Sequence, residues 1–116
     1  MTKLYIDDLR NSPDDSWIVV RTLTGAIRVL ATMDVDVISL DHDIAHYVSV
    51  DGNARPFACV ENFSAVCYFI GEKYKGLSPP SIILHTANPV SAQRMRHILA
   101  SYGLKSEYQP GKPVHR

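Results

Sequence analysis

The sequence has no net charge and no long apolar run, and each absence excludes a class of protein. Twelve basic and twelve acidic residues give a formal net charge of zero and a pI near 7. No overall field therefore favours binding to duplex DNA or to a membrane surface. No apolar run approaches the ~20 residues that span a bilayer, and the N-terminus carries no apolar signal segment. We expect a cytoplasmic protein without a membrane partner.

Cysteine is also scarce, and the two cysteines present are predicted to be reduced. Cys59 and Cys67 are eight residues apart in a segment predicted as one helix, which separates them by about 12 Å at ~1.5 Å per residue. That distance is too great for a disulfide, and the spacing is not the CxxC pattern of a zinc site. We expect two buried thiols.

The length and composition predict one domain. A chain of 116 residues that is 46% hydrophobic can build its own core but leaves no room for a second domain. Residues 1–116 contain no internal repeat and no low-complexity segment. The whole chain is therefore expected to form a single α/β domain.

Three short apolar segments each run directly into polar residues. Short apolar runs bounded by charge are typical of buried strands. They are Lys3–Ile6 before Asp7-Asp8, Val37–Leu40 before Asp41-His42-Asp43, and Ser81–Leu84 before His85-Thr86-Ala87-Asn88. Two further strands are predicted at Trp17–Arg21 and Lys105–Tyr108.

The order of the predicted elements, β-β-α-β-α-β-α-β, favours a three-layer α/β sandwich with a mostly parallel five-stranded sheet. A flavodoxin-like, receiver-like strand order of 2-1-3-4-5 would place strands one, three and four side by side. About nine residues connect strands one and two, which is short for a parallel crossover. Either the first helix is reduced to a turn, or strand two is not an ordinary parallel neighbour.

Start and stop signals predict three helices. The first is capped by Thr22 or Thr24 and ends near Met33, and the second begins at Pro56 and ends near Gly76. The third has Asn88 as its N-cap, Pro89 at its first position and Gly103 at its end. Its packed face is predicted to comprise Val90, Met95, Ile98, Leu99 and Tyr102. Residues 44–55 are predicted to be a long loop with a lid or binding role.

The polar residues that follow the three strands are predicted to form one site, because the carboxyl ends of parallel strands meet at one edge of a sheet. These residues are Asp7, Asp8, Asp41, His42, Asp43 and His85. Four carboxylates in one crevice repel one another, so a cation must balance them. Oxygen ligands favour Mg²⁺ or Mn²⁺, whereas recruitment of the histidines would favour Mn²⁺ or Zn²⁺. The alternative is that Asp7 or Asp8 merely caps a loop and Asp43 is solvated.

His85 precedes a helix N-terminus, where backbone N–H groups and the helix dipole favour anions. A histidine there is placed to act as a general acid or base, unless it only bonds a loop carbonyl. Strand alternation would point His42 away from its two neighbouring aspartates. Arg10, Arg94 and Arg96 are candidate phosphate clamps, with a solvated surface position as the alternative for each.

The acids Asp7-Asp8 and Asp41 resemble those of the receiver domains of two-component signalling. In this resemblance, Thr86 corresponds to the Thr or Ser that ends strand four, and Lys112 corresponds to the lysine that ends strand five. Three motifs together are similar to one receiver-derived group, the cyclic-phosphate processing receiver domains, over Leu4 to about Gly103. They are Tyr5-Ile6-Asp7-Asp8-Leu9-Arg10, Asp41-His42-Asp43 and His85-Thr86-Ala87-Asn88-Pro89.

This resemblance implies metal-assisted hydrolysis of cyclic phosphates, on RNA ends in RNA repair or on nucleotide signals, in prokaryotic and phage-infected cells. The implied metal ligands are Asp7, Asp8, Asp41 and Asp43. The implied catalytic residues are His85, Asp41 and His42, and Asn88 is implied in the site by the same motifs. With Thr86 as the receiver-type hydroxyl and with Arg10 and Arg94 as the candidate clamps, it completes the predicted phosphate-binding set. Two alternatives remain open: a phosphoacceptor switch at Asp41, and a non-catalytic protein that sequesters nucleotides. The oligomeric state is also open.

Overall fold

A computed structural model of the protein describes residues 1–8, 10–41, 47–50, 53–56 and 64–109. The elements in chain order are β1 (Lys3–Ile6), β2 (Trp17–Val20), α1 (Leu23–Thr32), β3 (Val37–Leu40), β4 (Tyr47–Val50), β5 (Asn53–Pro56), α2 (Ser64–Tyr74), β6 (Ser81–Leu84), α3 (Pro89–Ser101) and β7 (Glu107–Tyr108). The main sheet has five strands in the order β2-β1-β3-β6-β7, and every pair of neighbours is parallel. Counted within this sheet alone, the order is 2-1-3-4-5, which confirms the predicted receiver-like fold. The described helices all pack on one face of the sheet, so the described residues show two of the three predicted layers.

The first crossover has lost its helix within the described part of the chain. Strands β1 and β2 are parallel neighbours, with Lys3 opposite Trp17 and Ile6 opposite Val20, yet residues 7–8 and 10–16 between them contain no helix. The side chains of this connection form local turn hydrogen bonds instead. For example, the Ser16 N–H donates to Asp14 Oδ1 at 2.8 Å. Of the two alternatives for this connection, the reduction of the first helix to a turn is therefore correct.

A β-hairpin replaces much of the predicted loop. Strands β4 and β5 are antiparallel, with Val50 opposite Asn53 and Tyr47 opposite Pro56. The prediction of a loop over residues 44–55 was wrong for these strands, since two short segments separated by the sequence Asp51-Gly52 are themselves a hairpin pattern. The prediction that Pro56 begins a helix was also wrong, because Pro56 ends β5, a position where a sheet tolerates a missing N–H. Residues 57–63, with Cys59, lie outside the described residues, and α2 is described from Ser64.

The core lies between the helices and one face of the sheet. Strand side chains in the core all belong to that face, and all three described helices contribute to the same cluster. The fully buried members include Leu4, Ile6, Leu30, Ile38, Leu40, Val66, Ile70, Leu84, Met95 and Leu99. The opposite face carries Tyr5, Ser39 and Ile83, which pair across β1, β3 and β6. Among the described residues, no helix combines the length and apolar character that a membrane span requires.

The predicted helix ends are confirmed for α1 and α3, with one error in the packed face of α3. The Thr22 hydroxyl accepts the Gly25 N–H at 3.0 Å, and Gly103 follows α3 with a φ of +77°. Val90 was predicted to be packed but is 70% exposed. It lies five residues before Met95, whereas a helical stripe repeats at three and four residues. Ser91 and Ala92 occupy the buried positions instead.

Candidate functional site

The first residue after each strand of the main sheet forms a polar row along the carboxyl edge of the sheet. In sheet order this row comprises Arg21, Asp7, Asp41, His85 and Gln109. The ladder hydrogen bonds continue into the row, since the N–H groups of Asp7, Asp41 and His85 donate to carbonyls of the adjacent strands at 3.1, 2.9 and 3.0 Å. Adjacent strands are about 4.8 Å apart. The fold therefore places these three side chains next to one another.

Asp7 is fully buried and connects to His85. Its Oδ2 lies 2.8 Å from His85 Nε2, and its Oδ1 accepts the Arg10 backbone N–H at 2.8 Å. On its other side, His85 Nδ1 lies 2.7 Å from Ser39 Oγ. An ionised carboxylate only accepts hydrogen bonds, so beside an ionised Asp7 it is the Nε2–H group of His85 that donates the hydrogen bond. The result is a buried Ser39–His85–Asp7 chain of hydrogen bonds.

The ring of Tyr5 fixes the plane of the imidazole. The two rings are stacked, with centroids 4.5 Å apart and an interplanar angle of 8°. Trp17 packs edge-on against Tyr5 at 5.8 Å. Burial, together with the nearby charge of Asp7, raises the pKa of Tyr5 above its ordinary value of 10.0. The phenol is therefore neutral near pH 7, and His85 is held by one stacked ring and two hydrogen bonds.

Arg10 supplies positive charge to the acidic residues. Its Nη1 lies 3.2 Å from Asp7 Oδ2 and 3.5 Å from Asp41 Oδ2. Arg21 was not selected from the sequence, yet it holds the loop that carries Arg10. Its Nη1 donates to the Arg10 carbonyl at 3.0 Å and to the Asp7 carbonyl at 3.4 Å. The signal for Arg21 was its position directly after β2, which is the same rule that identified the strand-end acids.

Asp7, Asp8 and Asp41 can each offer one carboxylate oxygen to a metal ion, and these three oxygens lie within 4.8 Å of one another. An octahedral Mg²⁺ ion holds oxygens at ~2.1 Å, so opposite ligands are about 4.2 Å apart. The cluster is therefore close to the size that Mg²⁺ or Mn²⁺ requires, and its all-oxygen character suits both ions. A bound ion and Arg10 would share Asp7 and Asp41 as partners.

The other predicted residues take different places. The Thr86 hydroxyl is buried and accepts the Asn88 N–H at 3.2 Å. Asn88 caps α3, since its Oδ1 accepts the N–H groups of Val90 and Ser91 at 3.0 and 3.3 Å. Arg94 is exposed on α3. Phosphate binding by these three residues stays a prediction. His42, Asp43 and Lys112 lie outside the described residues.

The end of β7 differs from the receiver pattern. Receiver domains carry a lysine at the end of the fifth strand, whereas the row position after β7 is occupied by Gln109, whose N–H donates to the Leu84 carbonyl at 2.9 Å. A glutamine there provides no charge to hold a phosphorylated aspartate. The structure thus combines receiver-like acids at β1 and β3 with an imidazole at β6.

The match to known families agrees with this geometry. A sequence model of the cyclic-phosphate processing receiver domain matches residues 2–101. This range contains Asp7, Asp8, Asp41 and His85 together with every strand of the main sheet except β7. Comparisons with curated proteins and with solved structures returned no match. Because the match spans most of the 116 residues, the chain belongs to the cyclic-phosphate processing receiver domain family.

Proposed function

We propose that the chain is a metal-dependent phosphoesterase that hydrolyses cyclic phosphates, either on RNA ends or in nucleotide signals. The observation that carries the proposal is the cluster of Asp7, Asp8 and Asp41 beside His85 and Arg10 on one edge of the sheet. The three acids would hold Mg²⁺ or Mn²⁺, and the family motif adds Asp43 as a ligand. When bound, such an ion polarises a phosphoryl oxygen and makes a bound water more acidic.

Arg10 is placed to bind the substrate phosphate. Its guanidinium lies between Asp7 and Asp41, and planar guanidinium groups pair with phosphate oxygens through two parallel hydrogen bonds. Arg21 holds the Arg10 backbone through its hydrogen bond to the Arg10 carbonyl. A small rotation about the Arg10 side-chain bonds therefore exchanges a carboxylate partner for a phosphate partner without moving the loop.

The proposed reaction forms one P–O bond and breaks another. A water oxygen attacks phosphorus and the water passes a proton to a carboxylate of the acidic cluster, while the ester bond to a ribose oxygen breaks and that oxygen gains a proton. In this step His85 begins as an imidazolium, gives the leaving oxygen its proton from Nε2 once the hydrogen bond to Asp7 opens, and ends as a neutral imidazole. Ser39 holds Nδ1 during this step, and the family motif adds His42 as a second imidazole.

The test is a hydrolysis panel of 2′,3′-cyclic nucleotides and cyclic dinucleotides with Mg²⁺, Mn²⁺ or Zn²⁺. We expect turnover that Asp41→Asn and His85→Ala each lower by at least about 10²-fold, the usual scale for loss of an acid–base group. Asp34→Asn removes an exposed acid from the loop after α1 and serves as the matched control. A folded protein that binds the metal but hydrolyses none of these substrates would exclude the enzyme.

A binding-only protein is the second candidate, and one observation favours it. Both ring nitrogens of His85 are already bonded and the residue is only 5% exposed, an arrangement that suits positioning as well as proton transfer. This candidate predicts stoichiometric binding of a cyclic nucleotide by calorimetry with no product after prolonged incubation with metal. Product formation that is lost when His85 is replaced would support the phosphoesterase and contradict the binding-only protein.

A further inference from the structure

The zero net charge conceals a strong asymmetry along the chain. Residues 73–116 contain seven of the twelve lysines and arginines but only one of the twelve acids, Glu107. Helix α3 carries Arg94, Arg96 and His97 with no acidic residue, and all three side chains are exposed. Among the described residues, the exposed side of α3 is therefore basic, which is the feature expected of a polyanion-binding site.

A groove of about 420 Å³ lies on this basic part, between the outer side of α3 and β7. This volume is in the range of small-ligand sites, ~300–1,000 Å³. Arg96 lines the groove and offers positive charge to phosphates, His97 offers a ring N–H, and Tyr108 offers a ring on which a base can stack. Gln93 adds an amide that can bond to the edge of a base. These are the groups that single-stranded nucleic acid requires.

The groove begins at the edge of the sheet that carries the acidic cluster. One end is Pro89, the first residue of α3 and four residues after His85, and the groove follows α3 to Ala100, about 16 Å along the helix axis. On the other wall, Tyr108 is directly followed by Gln109 of the polar row. Strand β7 is two strands from β3, or about 10 Å along the sheet. Tyr108 lies on the helix-covered face of the sheet, beside Leu84. His85 contacts Tyr5 and Ser39 on the opposite face, so the groove and the cluster meet at the carboxyl edge between the two faces.

We propose that this groove binds the single-stranded RNA adjoining the terminal phosphate that the acidic cluster processes. The link to a terminal phosphate depends on the proposed function, whereas RNA binding by the groove does not. The substrate is then the end of a polynucleotide, because a free cyclic nucleotide is too short to occupy both the cluster and the groove.

Fluorescence anisotropy with a labelled single-stranded RNA that ends in a free 3′-hydroxyl tests the groove in the presence of EDTA, without metal or turnover. We expect Arg96→Glu to weaken binding by at least about tenfold and to flatten the slope of log K against log salt by about 0.7, the value for one phosphate contact on a single strand. The matched control is Arg28→Glu, which reverses an exposed charge on α1 and should change affinity less than twofold. The melting temperature of each variant confirms that it is folded.

Three outcomes would contradict the proposal that the groove binds single-stranded RNA. They are no RNA binding by the folded wild type at low salt, equal losses in the Arg96 and Arg28 variants, and displacement of the RNA by polyglutamate as readily as by unlabelled RNA of the same charge. The last outcome would identify a general anion surface rather than a nucleic-acid site.

A second measurement separates failure of the groove from failure of the proposed function. Hydrolysis of an oligonucleotide ending in a 2′,3′-cyclic phosphate is compared with hydrolysis of the cyclic mononucleotide. We expect Arg96→Glu to lower the ratio of the two kcat/KM values by about tenfold, because only the longer substrate reaches the groove. RNA binding without any hydrolysis would contradict the proposed phosphoesterase activity but not the proposed RNA binding by the groove. Hydrolysis with an unchanged ratio would contradict RNA binding by the groove but not the phosphoesterase activity.

Discussion

At the scale of single residues, the site is organised around one buried imidazole. His85 stacks on Tyr5 and bonds to Ser39 and Asp7. In a water-poor environment such bonds fix a side chain, because a lost partner leaves a polar atom without water to replace it. The arrangement sets the tautomer of His85 and aims its Nε2 atom towards the carboxylates. Ser39 contributes through His85, and its effect is measurable without any substrate.

We expect Ser39→Ala to lower the free energy of unfolding by about 1–3 kcal/mol, the cost of leaving a buried hydrogen-bonding atom without its partner. Urea unfolding measures this change. Ser81→Ala is the control, since Ser81 is an exposed residue of the same type on the neighbouring strand β6, and its replacement should cost less than about 0.5 kcal/mol. Equal losses in the two variants would show that the Ser39–His85 bond contributes nothing to stability.

A metal ion held by Asp7, Asp8 and Asp41 would compete with Arg10 for two of these carboxylates. We therefore expect Arg10→Met, which keeps most of the aliphatic length but removes the charge, to bind Mn²⁺ about tenfold more tightly, equivalent to ~1.4 kcal/mol. Titration of the metal-free protein followed by calorimetry or electron paramagnetic resonance measures the affinity. Arg28→Met is the matched control on α1. Unchanged or weaker Mn²⁺ binding would mean that Arg10 does not compete with the ion.

At the scale of elements, α2 and α3 approach closely where α2 has a glycine. A Cβ atom added at Gly71 would lie 2.2 Å from the Tyr102 ring, which follows α3. The Tyr102 hydroxyl then donates to Glu72 Oε1 at 3.1 Å. This contact sets the position of α3 against α2, and α3 in turn carries Asn88 and the groove.

We expect Gly71→Ala to lower the free energy of unfolding by about 1–3 kcal/mol, because a rigid ring cannot move aside at low cost. The double variant Gly71→Ala with Tyr102→Leu should lose less than the sum of the two single variants, since the smaller side chain removes the clash. Chemical denaturation of all four proteins measures this coupling. Additive losses would show that the ring and the new methyl group do not meet.

At the scale of the whole molecule, the described helices cover one face of a five-stranded sheet, and the carboxyl edge of that sheet carries the polar row. Apolar burial between the sheet and the helices supplies most of the stability. Cys67 lies within this core and is fully buried. Its thiol therefore reports on the opening of the molecule as a whole.

Burial raises the pKa of the Cys67 thiol from 9.0 to about 12. The folded state therefore keeps its proton between these values while the unfolded chain loses it, so this residue makes stability fall as pH rises from about 9 towards 12. In a Cys59→Ser background, we expect Cys67 to react with Ellman's reagent at pH 8 only as fast as the protein opens, and immediately in denaturing urea. Rapid reaction of the folded protein would show that the thiol is not shielded.

The sequence by itself determined the strands of the main sheet, the cap of α3, and the acids and imidazole at the strand ends. These features depend on local signals: apolar runs that end in charge, Asn88 as a cap, and a glycine after α3. The sheet order was expected from the α/β pattern, and the structure decided between Thr22 and Thr24 as the cap of α1. The hairpin β4–β5 was missed although its turn signal was present, because propensity alone does not show whether two short segments will pair. Val90 was wrongly predicted to be packed because it was selected for its hydrophobicity, whereas its position around the helix axis does not match that of the buried residues of α3.

The partners of the strand-end residues were decided only by the tertiary structure. Nothing local in the sequence indicates that His85 bonds to Asp7, 78 residues away, or that Arg10 bridges Asp7 and Asp41. The same is true of Arg21 and of the groove between α3 and β7. The contacts of Asp7 with His85 and of Arg10 with Asp41 join residues 78 and 31 positions apart. The geometry that brings them together exists only once the sheet has formed and the helices have packed against it.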